Sequence, residues 1–249
     1  MADEEPTYLT VEEAAARLRV TPQTVYRWCR SGRLQATKIG KGWRIPARQL
    51  PGDPQQVGLL PLETLLVSLI EQPQHLLGLA SDQRALERME TTFFELAAGS
   101  KGRLVHTRWE DTEATVRRRL RHALRRAPDG DDALHILDFK AAYEKGDVNG
   151  PIGLLLTEVG PASADGMICR AYGSPYPYFS YNLGQLVEYE RAVAEHMRGQ
   201  AALMLCGHAL NDMLSLYGSR AFTLLMDLAE CHDGIVCYDG QRALLERPA

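Results

Sequence analysis

Two helix-start signals, Thr10 and Thr21, stand only eleven positions apart near the head of this chain. They leave room for little except a short helix, a tight turn and a second helix. Thr10 can cap a backbone N–H while Glu13 reaches back to complete a capping box. Val11, Ala14, Ala15 and Leu18 follow at helical spacing and give the first helix one apolar face. Thr21 is then an N-cap, with Pro22 at the first helical position, where its missing N–H costs nothing. Val25 and Trp28 supply the buried side of the second helix, and Ser31-Gly32 stops it. Residues 34–39 alternate as a strand does, Gly40-Lys41-Gly42 turns, and Trp43-Arg44-Ile45 returns. This spacing predicts a helix-turn-helix followed by a two-stranded wing.

The outward face of the second helix sets what such a unit can touch. Gln23, Thr24, Arg27 and Arg30 point away from Val25 and Trp28, with Tyr26 between the faces, and Thr21 at the helix start joins them as a candidate DNA contact. These residue types hydrogen-bond base edges and phosphates. Lys41 falls at the wing tip, with Lys38 and Arg44 on the flanking strands, suited to gripping a phosphate backbone. A merely solvated basic surface is the bland alternative, and the charge distribution weighs against it. Residues 1–50 hold nine Lys/Arg against five Asp/Glu, a net +4, while the rest holds 19 against 27, a net −8. A basic head on an acidic body is the asymmetry expected of a protein that reads double-stranded DNA.

The run AAARLRVTPQTVYRWCRSGRLQATKIGKGWRIP, residues 14–46, closely resembles the excisionase-like branch of the MerR winged-helix family. The resemblance rests on the Ala-rich first helix, the Pro after the turn, the Tyr-x-Trp pair, the Gly-Arg-Leu exit and the Gly-x-x-Arg wing. It implies that Gln23, Thr24, Tyr26, Arg27 and Arg30 enter or border the major groove. It also implies that Lys41, Trp43 and Arg44 form the wing and that Trp28 is buried.

At 249 residues and 45% apolar composition, the chain has room for this head and one further domain of ordinary size. PGDPQQVG, residues 51–58, reads as a linker between a head at 1–50 and a body at 59–249. No apolar run approaches bilayer-spanning length. The start MADEEPTYL is acidic, without the hydrophobic region of a secretory signal. Five cysteines (29, 169, 206, 231, 237) are odd in number and form no CxxC pair, which fits reduced thiols. A soluble, cytoplasmic protein is expected.

From residue 59 onward helix and strand patterns alternate. Helical stretches cover 59–70, 82–98, 112–127, a start at 152–157, 186–198 and 219–229. Strand patterns cover 75–80, 102–107, 133–139, 167–172, 201–206 and, as the last strand, 234–238. This order predicts an α/β body, a mostly parallel sheet covered by helices on both faces in three layers. The body also resembles the MEDS sensory domain, a degenerate relative of the RecA/KaiC nucleotide-binding fold. The resemblance rests on His75 opening an early strand, Asp138 ending one with Tyr143 and Gly146 after it, Tyr189-Glu190, Cys206 ending a strand, and His232 before the last. It departs where that family often has an aspartate and a tryptophan after the fourth strand; here stands Gly173-Ser-Pro-Tyr-Pro-Tyr.

That ancestry raises an ATPase, and the sequence weighs against one. A phosphate-cradling loop needs GxxxxGK[ST]. After the first body strand the chain offers Ser81-Asp-Gln-Arg, and no Gly-Lys-Ser or Gly-Lys-Thr occurs anywhere. Arg117, Arg118, Arg119, Arg121, Arg125 and Arg126 read as the solvated face of an amphipathic helix. Residues 172–181 pack four of the ten tyrosines with Phe179 and two prolines. So aromatic a loop suits a ligand pocket at the C-terminal edge of the sheet, a dimer interface or core packing. The pocket reading names Tyr176, Tyr178 and Tyr181, with Glu190, Cys206 and His208 adding polar contacts if the sheet gathers them. Cys206, His208, Cys231, His232 and Cys237 offer zinc-type donors, but their irregular spacing favours satisfied core residues, so no metal is expected. No nucleophile elbow is present.

The expectation is a one-component transcription regulator and not an enzyme, with no cofactor. Its partners are double-stranded DNA, a second copy of itself and a small organic effector. The rivals are a nucleotide-binding enzyme with a DNA-targeting head and an excisionase-like architectural protein.

Overall fold

A computed structural model describes residues 8–18, 21–30, 36–40, 42–46, 59–127 and 130–247; the side chains of 16–18, 24, 28, 39, 46, 126, 131 and 132 fall outside that description. The chain divides into two compact units, Met1–Leu59 and Leu60–Ala249. The 51–58 stretch, the Ser31-Gly32 stop and Lys41 lie outside the described residues.

The head runs β1 (Tyr8–Leu9), α1 (Val11–Leu18), α2 (Pro22–Arg30), β2 (Thr37–Ile39) and β3 (Gly42–Pro46). The capping box forms: the Thr10 N–H donates to Glu13 Oε2 at 2.7 Å, and the Glu13 N–H donates to Thr10 Oγ1 at 3.2 Å. These hydrogen bonds hold the Glu13 carboxyl below its ordinary pKa. Val11, Ala14 and Ala15 of α1 meet Val25 and Cys29 of α2 and Ile45 of β3 in one small core. Cys29, four residues from Val25, supplies a buried contact that the sequence reading did not assign. The wing is an antiparallel pair with Thr37 opposite Arg44 and Lys38 opposite Trp43. It carries a third strand not expected from sequence, since β1 pairs with β3 through Leu9 and Ile45.

The body holds a seven-stranded sheet. Its strands are β4 (Gln74–Ala80), β5 (Gly102–Arg108), β6 (Leu134–Asp138), β7 (Ile168–Gly173), β8 (Ala202–Ala209), β9 (Gly234–Tyr238) and β10 (Ala243–Glu246). They lie in the order β10-β9-β4-β8-β7-β5-β6. Every pairing is parallel except β9 with β10. The strand at 234–238 is therefore not the last: Asp239 Oδ1 accepts from the N–H groups of Gln241 and Arg242, and this turn returns the chain as an antiparallel edge strand.

Helices cover both faces, so the body is a mixed α/β unit with a largely parallel sheet. On one face α3 (Leu62–Leu69), α4 (Gln83–Ala97) and α5 (Glu113–Leu120) bury Leu62, Leu66, Phe93, Phe94, Val116 and Leu120 against Leu76, Leu203 and Leu205. On the other lie α6 (Phe139–Gly146), α7 (Asn149–Ala164), α8 (Tyr176–Phe179), α9 (Leu183–Met197), α10 (Leu210–Tyr217) and α11 (Arg220–Glu230). Their Phe139, Leu155, Val159, Leu186, Val193 and Leu224 pack on Leu77, Val105 and Cys206. The helix expected at 112–127 stops after Leu120, and the chain goes on as a 3-10 turn, Ala123–Arg126, that sinks Ala123 and Leu124 into the first core.

Candidate nucleic-acid interface and a buried cluster in the body

Gln23, Arg27 and Arg30 are exposed on α2, while Val25 and Cys29 are buried. At about 100° per residue, the three polar side chains fall within an arc of about 60° opposite the buried pair. Thr21 and Lys38 are exposed as well. Tyr26 and Trp43 are partly buried against the head core. Arg44 is half-buried, and its Nη1 donates to the Trp43 carbonyl at 3.2 Å. The side chains of Thr24 and Trp28 lie outside the description.

In the body, the aromatic segment is not a loop and its tyrosines do not gather. Tyr176, on the single turn α8, is buried with its ring centroid 6.2 Å from that of His208. Tyr178 packs on Trp109 at 5.2 Å, within a group that includes Tyr143 and Phe179. Tyr181 is 96% exposed. At the C-terminal ends of β5 and β7, where the crevice was expected, lies a cleft of about 130 Å³. It touches Ser174 and Pro177 but none of Tyr176, Tyr178 and Tyr181. Inside it, His106 Nε2 sits 2.7 Å from Glu90 Oε1, and Arg119 grips both Glu90 oxygens at 2.5 and 3.0 Å. Arg119 is thus a structural ion-pair partner rather than part of a solvated basic face, while Arg118, Arg121 and Arg125 are exposed.

Glu190, Cys206 and His208 do come together, and two histidines join them. Cys206 and His208 alternate along β8 onto the same face as His75 of β4, and α9 lays Glu190 over them. His232 enters from the residue pair before β9, its ring centroid 4.0 Å from that of His75. His75 Nε2 lies 3.2 Å from Cys206 Sγ and 3.4 Å from Glu190 Oε2. His232 Nε2 lies 3.6 Å from Glu190 Oε2, and His208 Nε2 lies 4.0 Å from Glu190 Oε1. All five side chains are buried.

Burial alone would raise the Glu190 pKa, but the contact with His75 and the nearby rings of His232 and His208 bring it down to about 2. Burial pushes His208 down to about 4 and His232 down to about 3. Burial, with Glu190 beside it, pushes the Cys206 thiol well up. Of the zinc-type donors singled out from sequence, Cys231 and Cys237 stay outside this group, the Cys231 thiol donating to the Asp227 carbonyl at 3.3 Å. The sequence reading placed His75 only as a mark of resemblance, since nothing local ties it to residues 131 positions away. A second cleft, of about 470 Å³, opens at the N-terminal ends of β4, β8 and β9 and reaches His75 and His232.

No curated protein matches this chain. No helix among the described residues is long and apolar enough to cross a membrane. Residues 8–50 match the family model of a helix-turn-helix domain, so a helix-turn-helix unit precedes a mixed α/β body in this chain.

Proposed function

We propose that this protein is a one-component transcription regulator that binds double-stranded DNA through its head and answers a small organic molecule through its body. The observation that carries the reading is the exposed row Gln23, Arg27 and Arg30 on the second helix of a helix-turn-helix domain, the helix that such units lay in the major groove. One head of this size touches few bases, so useful specificity calls for two copies on repeated half-sites. Within that reading the head is MerR/excisionase-like and the body MEDS-like. Four positions on which the second resemblance rests, His75, Glu190, Cys206 and His232, converge in space, which supports it.

Two rivals are weaker. Asp82 caps α4, its Oδ1 accepting from the Ala85 N–H at 2.8 Å, so a carboxylate occupies the helix N-terminus that a nucleotide's phosphates would need. An architectural DNA-bending protein has no use for a seven-stranded body with two cores. The effector reading is supported by Tyr176 and His208, whose hydroxyl and ring nitrogens are buried without hydrogen-bond partners.

Selection of bound duplexes from a randomised library by the full chain tests the reading. A repeated motif that Arg27→Ala no longer enriches is the expected result. Failure to retain any duplex at low salt would sink it, as would magnesium-dependent ATP turnover by the pure protein.

A further inference from the structure

Two imidazoles in the body have their tautomers set by the backbone. His75 Nδ1 lies 3.2 Å from the Cys231 carbonyl, and His232 Nδ1 lies 2.6 Å from the Leu228 carbonyl. A carbonyl only accepts, so each Nδ1 carries a proton, and the neutral ring presents its lone pair at Nε2. Both lone pairs turn toward Glu190 and Cys206. Neither Glu190 oxygen nor His232 Nε2 makes a hydrogen bond, although all three atoms are buried. With both rings neutral, lone pairs face a carboxylate, and the one proton among the facing atoms of these four groups is that of the Cys206 thiol. A buried carboxylate with neither oxygen hydrogen-bonded is costly, and a cation seated among these donors offsets that cost.

We propose that His75, Glu190, Cys206 and His232 bind a zinc ion through His75 Nε2, His232 Nε2, Cys206 Sγ and one Glu190 oxygen. These four ligand atoms lie within 4.8 Å of one another. A tetrahedral zinc with bonds of about 2.0–2.3 Å holds its ligand atoms about 3.3–3.7 Å apart. The separations of 3.2, 3.4 and 3.6 Å between these donors are close to the edges of that tetrahedron. Mixed nitrogen, sulfur and oxygen donors are those zinc accepts. On binding, the Cys206 thiol releases its proton to solvent, and the two charges of the ion match one thiolate and one carboxylate. The carbonyls of Cys231 and Leu228 are the outer partners that orient metal-ligating histidines. Four protein ligands make a closed site that holds structure together rather than one that activates a water. The 470 Å³ cleft that reaches His75 and His232 is the route by which the ion arrives.

The experiment uses the full chain, loaded with zinc and desalted, and is independent of DNA binding. Elemental analysis should find about one zinc per chain. Cobalt substitution should give the visible bands of a tetrahedral ion and a thiolate-to-cobalt charge-transfer band in the near ultraviolet. Cys206→Ser should abolish the charge-transfer band, and Cys231→Ser should leave it. Glu190→Gln, which keeps shape and removes charge, should weaken zinc binding at least about tenfold in competition with a chelator. Wild-type protein that retains no zinc overturns the site. So does a charge-transfer band that survives Cys206→Ser or disappears in Cys231→Ser. Should Cys206→Ser fail to fold, unchanged zinc affinity in Glu190→Gln overturns it alone.

Discussion

His75 and Asp233 exchange two hydrogen bonds: the His75 N–H donates to Asp233 Oδ2 at 2.8 Å, and the Asp233 N–H donates to the His75 carbonyl at 2.7 Å. The exchange ties the start of β4 to the residue that follows His232. The two imidazoles are thereby held close, their ring centroids 4.0 Å apart and their planes tilted by 35°, before anything binds between them. Preorganisation of this kind lowers the cost of assembling a site.

Asp233→Ala removes one of the two bonds and no ligand atom. A hydrogen bond to a charged acceptor contributes about 1.5–3 kcal/mol, and the partial exposure of this one favours the lower end. Denaturant unfolding should show a loss of about 1–2 kcal/mol. Zinc affinity should fall about tenfold with the cobalt spectrum unchanged in shape. Asp233→Asn keeps an acceptor oxygen and should recover most of both. A variant with wild-type stability and wild-type zinc affinity would remove the tether from the account.

The head yields a separate set of expectations. Arg27→Ala should weaken operator binding by about 1–3 kcal/mol and relax the base preference at one position, as expected for a bidentate base contact. Lys38→Ala, on the wing, should weaken binding to all duplexes alike and lower the salt slope by about one. Anisotropy titrations at several salt concentrations separate the two. Equal losses on specific and random duplexes for Arg27→Ala would move that residue from reading bases to gripping phosphates.

What the sequence disclosed follows the range of the interaction involved. The Thr10–Glu13 box is a contact three residues long, and it forms as its side chains predict. Helices that begin directly at a strand's end leave no gap in the apolar pattern, which is why α6 after Asp138 and α10 after Ala209 escaped notice. The Asp138 Oδ1 acceptor for the Ala141 N–H was the available signal for the first. β1 is two residues long and β10 follows a four-residue turn, too short for periodicity to register.

The buried cluster is a different matter. Glu190, Cys206, His208 and His232 could be suspected from residue type, but gathering them with His75 depends on β4 lying between β8 and β9. That order is a property of the whole sheet. Residues 172–181 suit a ligand pocket, a dimer interface or core packing by composition; strand and helix geometry sends Tyr172 to one core and Tyr176 and Tyr178 to the other, and leaves Tyr181 exposed.

Gly207 tests how tightly that sheet is packed beside the cluster. A Cβ on it would lie 2.3 Å from the Tyr172 hydroxyl oxygen and 2.8 Å from Leu86 Cδ1, both in the opposite core from Cys206. Gly207→Ala should therefore cost about 1–3 kcal/mol through overpacking. Tyr172→Phe in the same chain removes the nearest atom and should return part of that loss, a coupling readable in a double-mutant cycle. Strict additivity of the two changes would show that strand β8 shifts instead.

The Glu90 pair sets an acid limit on the body. Burial pushes the Glu90 carboxyl up, but the hydrogen bond and charge of His106, then those of Arg119, more than reverse this and leave it below its ordinary value. A depressed folded pKa means that ionised Glu90 stabilises the fold fully above the unfolded carboxylate value, about 4.3. That contribution disappears as pH falls through the lower, folded value. Glu90 is 4% and Arg119 23% exposed at the side chain, so the pair is partly screened. Glu90→Gln should cost about 2–4 kcal/mol at pH 7, since Arg119 loses its bidentate partner while keeping Asp111 at 2.8 Å. The difference from wild type should shrink as pH falls below about 4.3, because the wild-type carboxyl is then being neutralised as well. Urea unfolding of both proteins between pH 7 and pH 3 measures this directly. A gap that stays constant or widens toward pH 3 would mean that the ion pair is not what the substitution removes.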